Sequence, residues 1–120
     1  MTDLTIYEKN TCSTCRKLSV LLAERGIDAE RIQYHIEGID EATIRELLRK
    51  AGIGARDALR VREPLVAELG LLDTERFDDD ALIALMAEHP ELLQRPIVVR
   101  GDRAVLARPV ERVLELFDGP

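Results

Sequence analysis

Short β-prone runs alternate with stretches of helical period along this chain. Leu4-Thr5-Ile6-Tyr7 reads as a strand, and the polar Glu8-Lys9-Asn10-Thr11 after it reads as a loop. A helix follows, with Leu18, Leu21 and Leu22 at helical spacing until Gly26 and Thr11 placed to cap it just ahead of Cys12. Residues 31–36, Arg31-Ile32-Gln33-Tyr34-His35-Ile36, are β-compatible. The next helix carries Ile44, Leu47, Leu48 and Ala51 at i, i+3, i+4 and i+7, with Asp40 as its cap and Gly52 as its stop. Ala55 to Arg62 and Leu65 to Leu69 form short helical pieces parted at Glu63-Pro64, because proline disfavours the α conformation in its predecessor.

Asp78-Asp79-Asp80 places acids on the positive end of a further helix with the apolar stripe Leu82, Ile83, Leu85 and Met86, and Pro90 lies beyond its end. Ile97-Val98-Val99 and Ala104-Val105-Leu106, joined through Gly101-Asp102, have the signature of a hairpin. Pro109 then suits position N1 of a last helix that buries Val110, Val113, Leu114 and Phe117. The order β-α-β, helical insert, β-β-α predicts an α/β fold: a four-stranded mixed sheet flanked by helices, with an insert over about residues 40–92 between the second and third strands. At 120 residues the expectation is one domain spanning 1–120.

Composition narrows the function. A hydrophobic fraction of 46% is enough for a packed interior, and a net charge of −6 argues against general nucleic-acid binding. No secretory leader and no apolar run of membrane-spanning length stand in the sequence, so a cytoplasmic protein without membrane contact is expected. Yet 14 of the 17 cations are arginine, whose planar fork suits oxyanions. Residues 92–112 hold five of them, Arg95, Arg100, Arg103, Arg108 and Arg112, against only Asp102 and Glu111. Arg100, Arg103 and Arg112 read as solvated surface cations.

Cys12 and Cys15 form a Cys-x-x-Cys pair at a helix start. The reactive form of cysteine is the thiolate, and a helix N-terminus stabilises it through free N–H groups and the dipole. Cys15, about one helical turn on, is placed to attack a disulfide or adduct formed on Cys12. The competing reading is two small core-filling residues. His35 and His89 are too far apart for a common structural zinc site, and no motif implies a metal, nucleotide or flavin. His35 reads as a strand residue and His89 as a helix-end residue. Asn10 and Thr11 can offer hydrogen bonds to an anion, or serve only the turn and cap.

The strand, loop and Cys-x-x-Cys at a helix start, with Arg95-Pro96 just before the third strand, resemble the thioredoxin/glutaredoxin-like superfamily, which implies a cis proline beside the reactive sulfur. More narrowly, Ile6-Tyr7 leading to Cys12, Gly54-Ala55-Arg56-Asp57-Ala58-Leu59-Arg60, Glu68-Leu69-Gly70-Leu71, His89-Pro90, Arg95-Pro96-Ile97-Val98-Val99 and Arg108-Pro109 resemble the arsenate reductase family of the glutaredoxin-coupled type. That resemblance implies Cys12 as nucleophile, Arg60, Arg95 and Arg108 as the oxyanion-binding arginines, and arsenate as substrate. It also implies glutathione with glutaredoxin as electron donor, and Asn10 is a weaker candidate for substrate contact.

Two departures stand out. Tyr7-Glu8-Lys9-Asn10-Thr11 replaces the Tyr-His-Asn-Pro common in that family, so a carboxylate that would oppose a thiolate stands where a histidine is usual. Cys15 replaces a serine, which makes an internal disulfide cleared by glutaredoxin or thioredoxin an alternative to glutathione. Cys-Ser-Thr-Cys-Arg-Lys also resembles the start of Spx, a redox-sensing regulator that binds the RNA polymerase α-subunit, although Arg108-Pro109 favours the reductase branch. The remaining alternative is a thiol-disulfide oxidoreductase with another substrate.

Overall fold

A computed structural model of the chain describes residues 3–9 and 11–117. Strands β1 (Leu4–Glu8), β2 (Glu30–Gln33), β3 (Ile97–Arg100) and β4 (Arg103–Leu106) form one sheet in the order β2-β1-β3-β4. β1 runs parallel to β2 and antiparallel to β3, and β3 is antiparallel to β4, so the sheet is mixed as the element order predicts. Helix α1 (Ser13–Glu24) makes the crossover from β1 to β2. Between β2 and β3 lie α2 (Tyr34–Glu37), α3 (Glu41–Ala51), α4 (Ala55–Ala58), α5 (Pro64–Leu69), α6 (Asp79–Glu88) and a 3₁₀ turn, Pro90–Leu92.

The two-residue period of the strands separates two apolar layers. Leu4, Ile6, Val98 and Val105 face Leu18 and Leu22 of α1 and Val113 and Leu116 near the C-terminus. On the opposite face Ile97, flanked by Tyr7, Val99, Ala104 and Leu106, meets Ile44, Leu47 and Leu48 of α3 and Leu82, Ile83 and Met86 of α6. The register pairs Ile6 with Val98 and Tyr7 with Ile97, so each face is continuous across the central strands. Asp40 caps α3 by accepting from the Thr43 N–H at 2.8 Å, and Asp78 caps α6 by accepting from the Ala81 N–H at 2.9 Å. Gly52 ends α3 at φ +67°, a left-handed conformation that costs glycine little.

Several local expectations are corrected. Cys12, not Thr11, is the N-cap of α1, because its own extended backbone (φ −77°, ψ 128°) precedes the first helical residue, Ser13. β2 stops at Gln33, and Tyr34 turns inward as the first residue of α2, which places His35 in a helical turn rather than a strand. The piece predicted from Ala55 to Arg62 ends at Ala58, where Leu59 bridges to Leu93 instead. Leu85 of α6 is only partly buried.

The last element is a 3₁₀ helix, Val110–Leu116, with Pro109 as its N-cap rather than at N1. Val113 and Leu116 are its buried residues, whereas Val110, Leu114 and Phe117 pack only partly. The positions Val110, Val113 and Leu116 recur every three residues, the 3₁₀ period, and that spacing is the signal a search for the α period misses. Arg100 is not a solvated cation: its guanidinium pairs with Asp3 at 3.1 Å, donates to the Leu116 carbonyl and lies 4.6 Å over the Phe117 ring. Arg103 and Arg112 are exposed.

Candidate active site

Cys12 sits where β1 has ended and α1 begins, half-buried, while Cys15 is buried in the first turn of the helix. Both are free thiols. The backbone turn that delivers Cys12 is closed by its N–H donating to the Lys9 carbonyl at 2.9 Å. As N-cap, Cys12 makes no conventional side-chain cap hydrogen bond, which leaves the orphan N–H groups of the first turn facing its sulfur.

Burial opposes ionisation of Cys12, but the N–H and thiol of Cys15, the Thr14 N–H and the Arg95 guanidinium outweigh it, and the Cys12 pKa falls below the ordinary thiol value. Cys15 goes the other way. Burial pushes it up to about 12, and the neighbouring Cys12 and Glu8 add to that against the Lys9 N–H. The two sulfurs therefore have unequal chemistry, one poised as a thiolate and one held as a thiol.

Arg95 is 6% exposed and shares that degree of burial, among the described charged residues, only with Glu8. Burial acts to lower its pKa, yet its neighbours Tyr34 and Cys12 more than compensate and its charge is secured. Tyr34, fully buried, donates its hydroxyl to the Leu93 carbonyl at 2.6 Å, and burial pushes its pKa up to about 12 despite the pull of Arg95. The Arg95-Pro96 peptide is cis, as the superfamily resemblance implies, and Arg108-Pro109 is cis as well.

Arg108, exposed, extends Nη1 to the Arg95 carbonyl at 2.9 Å. Arg60 is brought alongside by the stitching of α4 to the segment before β3. Its N–H donates to the Leu92 carbonyl at 2.7 Å, and the Gln94 N–H donates to the Ala58 carbonyl at 2.8 Å. Arg60 and Arg108 then line one cavity of about 270 Å³ with Leu59, Val61, Arg62 and Gln94. On its other flank Arg108 borders a second cavity of about 330 Å³, lined by Thr14 and Lys17 of α1 with Pro109, Val110 and Glu111.

The Arg60 Nε forms an ion pair with Glu63 Oε2 at 3.2 Å, whereas the Nε of Arg95 is buried without a partner. Unsatisfied buried donors of positive charge are an arrangement that an oxyanion completes. By contrast Arg56, in the same Gly54–Arg60 segment, spends its donors on the Leu71 and Phe77 carbonyls and braces the insert. Asn10 lies outside the described residues.

Among the described residues, no group of three or more His, Cys, Asp or Glu side chains gathers where it could hold a metal ion, and no helix is long and apolar enough to cross a membrane. Sequence reading missed Tyr34, which no motif marks, and Glu63, which appears there only as the residue before a proline. It also missed the partners of Glu8.

A Cys-x-x-Cys pair at the head of α1, beside a cis proline on a β2-β1-β3-β4 mixed sheet, defines a thioredoxin-like protein with an arginine-lined site. Within that class the chain belongs to the ArsC family, whose sequence profile matches residues 7–116. It is 39% identical over 114 residues to an arsenate reductase of Neisseria meningitidis serogroup A, a match covering 94% of this chain and 97% of that protein. An arsenate reductase of Escherichia coli is 35% identical over 117 residues, covering 98% of this chain and 82% of that one. The solved structure of an arsenate reductase from Vibrio cholerae superposes with a TM-score of 0.89 at 38% identity, covering 94% of this chain and 96% of the other.

Proposed function

We propose that this chain reduces arsenate to arsenite in the cytoplasm, acting as one domain over residues 1–120 with its insert at about 40–92. The observation that carries the reading is the Arg95 guanidinium against a stabilised Cys12 thiolate, its buried Nε without a partner, with Arg108 tied to the Arg95 carbonyl and sharing a cavity with Arg60. Arsenate is a dianion near neutral pH, and a thiolate approaches it only once that charge is neutralised.

The Cys12 thiolate attacks arsenic, a S–As bond forms, and an arsenate oxygen leaves as water after protonation. A second thiol then attacks the Cys12 sulfur; the S–S bond forms as the S–As pair returns to arsenic, reducing As(V) to As(III) and releasing arsenite. Cys15 supplies that second thiol, and the Cys12–Cys15 disulfide is returned to two thiols by glutaredoxin with glutathione, or by thioredoxin. Arg95 stabilises the attacking thiolate while Arg60 and Arg108 close on the oxygens.

The test couples the purified protein to glutathione, glutaredoxin, glutathione reductase and NADPH. Arsenate-dependent NADPH consumption that vanishes in Cys12→Ser is the expected result, and no arsenate-dependent turnover would overturn the reading. Retained activity in Cys15→Ser would assign the second step to glutathione itself.

A further inference from the structure

Glu8 ends β1 just ahead of the thiol loop and is 3% exposed. A buried carboxylate is costly unless its oxygens are satisfied, and here both are. Oε1 accepts from Arg31 Nη1 at 3.0 Å and Oε2 accepts from Gln33 Nε2 at 2.8 Å, both donors coming from β2. The same Arg31 Nη1 donates to Ser19 Oγ at 2.6 Å, and Ser19 Oγ donates to the Cys15 carbonyl at 3.2 Å. A continuous path of hydrogen bonds thus runs from the carboxylate across β2 and into the first turns of α1.

It ends at Cys15, not at Cys12. The charged and titratable groups around Cys15 include Cys12 at the helix cap, Glu8 with its partner Arg31, and Tyr34 from α2, with the Arg95 cation before β3 in contact with both Cys12 and Tyr34. With Tyr34 neutral, Glu8 is the anion of that set in the reduced protein besides the Cys12 thiolate itself.

We propose that Glu8 is a positioning residue that assigns the two thiols their roles: fixed by Arg31 and Gln33 and linked through Ser19 to the Cys15 backbone, its buried charge confines the thiolate to Cys12 and keeps Cys15 in reserve as the resolving thiol. Burial is the main cause of the raised pKa of Cys15, and the Glu8 charge adds to it in the same direction. The histidine-to-glutamate departure noted in the sequence then acts on the second cysteine rather than against the first. The inference rests on the reading of Cys15 as the resolving thiol.

The test uses the full chain, reduced, with 5,5′-dithiobis(2-nitrobenzoate) and no arsenate. Cys12 forms a mixed disulfide and releases one thionitrobenzoate. Cys15 loses its proton to solvent and attacks the Cys12 sulfur; the internal disulfide forms and a second thionitrobenzoate leaves. The rate of the second release is followed against pH. In Glu8→Gln the pH profile of the second release should move to lower pH and the release at neutral pH should be about two- to fourfold faster, the gain in Cys15 thiolate exceeding the accompanying loss of nucleophilicity. Glu8→Asp should retain the wild-type profile.

A purely structural role for Glu8 predicts the opposite sign, because loosening the network misplaces Cys15. An unchanged or slower second release in folded Glu8→Gln therefore overturns the inference. Should Glu8→Gln fail to fold, Arg31→Met leaves the carboxylate unpaired and should move the profile to higher pH; a profile that stays in place overturns the inference equally. Failure of the resolving reading shows separately, as a wild-type protein that releases only the first equivalent.

Discussion

The two halves of the candidate site are built on different terms. Cys12, Cys15 and Arg95 lie where β1, α1 and the residue before the cis proline converge, with the Arg95 guanidinium against the Cys12 sulfur and Cys15 buried beside it. Arg60 and Arg108 come from the insert and from the loop after β4, one a third exposed and paired with Glu63, the other exposed and tied by a single hydrogen bond to the Arg95 carbonyl. The difference teaches that the nucleophile is prepared before any anion arrives. On the proposed reading the outer arginines close on the anion, so their part is binding energy rather than thiolate chemistry.

The largest break in that comparison is Cys12→Ser, which should take arsenate-dependent turnover to background in the coupled assay while the circular dichroism stays unchanged. Arg95→Ala should follow, with a loss of about 10²–10³-fold in kcat/KM. Because Arg95 helps to lower the Cys12 pKa, the same variant should displace the pH profile of Cys12 alkylation by iodoacetamide to higher pH. In the wild type, alkylation should reach half its maximum below the ordinary thiol range, since a depressed pKa makes thiolate available at lower pH.

Arg108→Ala sharpens the contrast, costing about 10- to 100-fold, expressed mainly in KM for arsenate, with the alkylation profile left in place. Equal displacement of that profile in Arg95→Ala and Arg108→Ala would erase the distinction between inner and outer halves. Tyr34→Phe leaves the Leu93 carbonyl without its buried donor and should lower unfolding stability by about 1–3 kcal/mol in urea denaturation. Glu63→Gln frees Arg60 from a partly exposed ion pair and should change KM for arsenate less than about threefold.

Much of this was legible along the chain. The period-two strands, the Asp40 and Asp78 caps and the Gly101-Asp102 turn are local signals, and local energetics decided them. Cys12 and Cys15 stood out by spacing, and Arg60, Arg95 and Arg108 by family resemblance. What failed did so for identifiable reasons. Tyr34 looked like a strand residue because aromatic residues favour strands, but its hydroxyl reaches the Leu93 carbonyl only across the fold, 59 residues away in sequence. Glu8 looked like an obstacle because its partners Arg31 and Gln33 are supplied by a neighbouring strand.

By itself the sequence determined the four strands in outline, helices α3 and α6 with their caps, the reactive thiol pair and the surplus of arginine over lysine, because periodicity, capping and residue chemistry are short-range properties. The tertiary structure decided how Arg95 meets the Cys12 sulfur, why Cys12 and Cys15 ionise so differently, and where the charge of Glu8 is felt. Those are matters of burial and of distance between residues far apart in the chain, and neither exists until the sheet has formed.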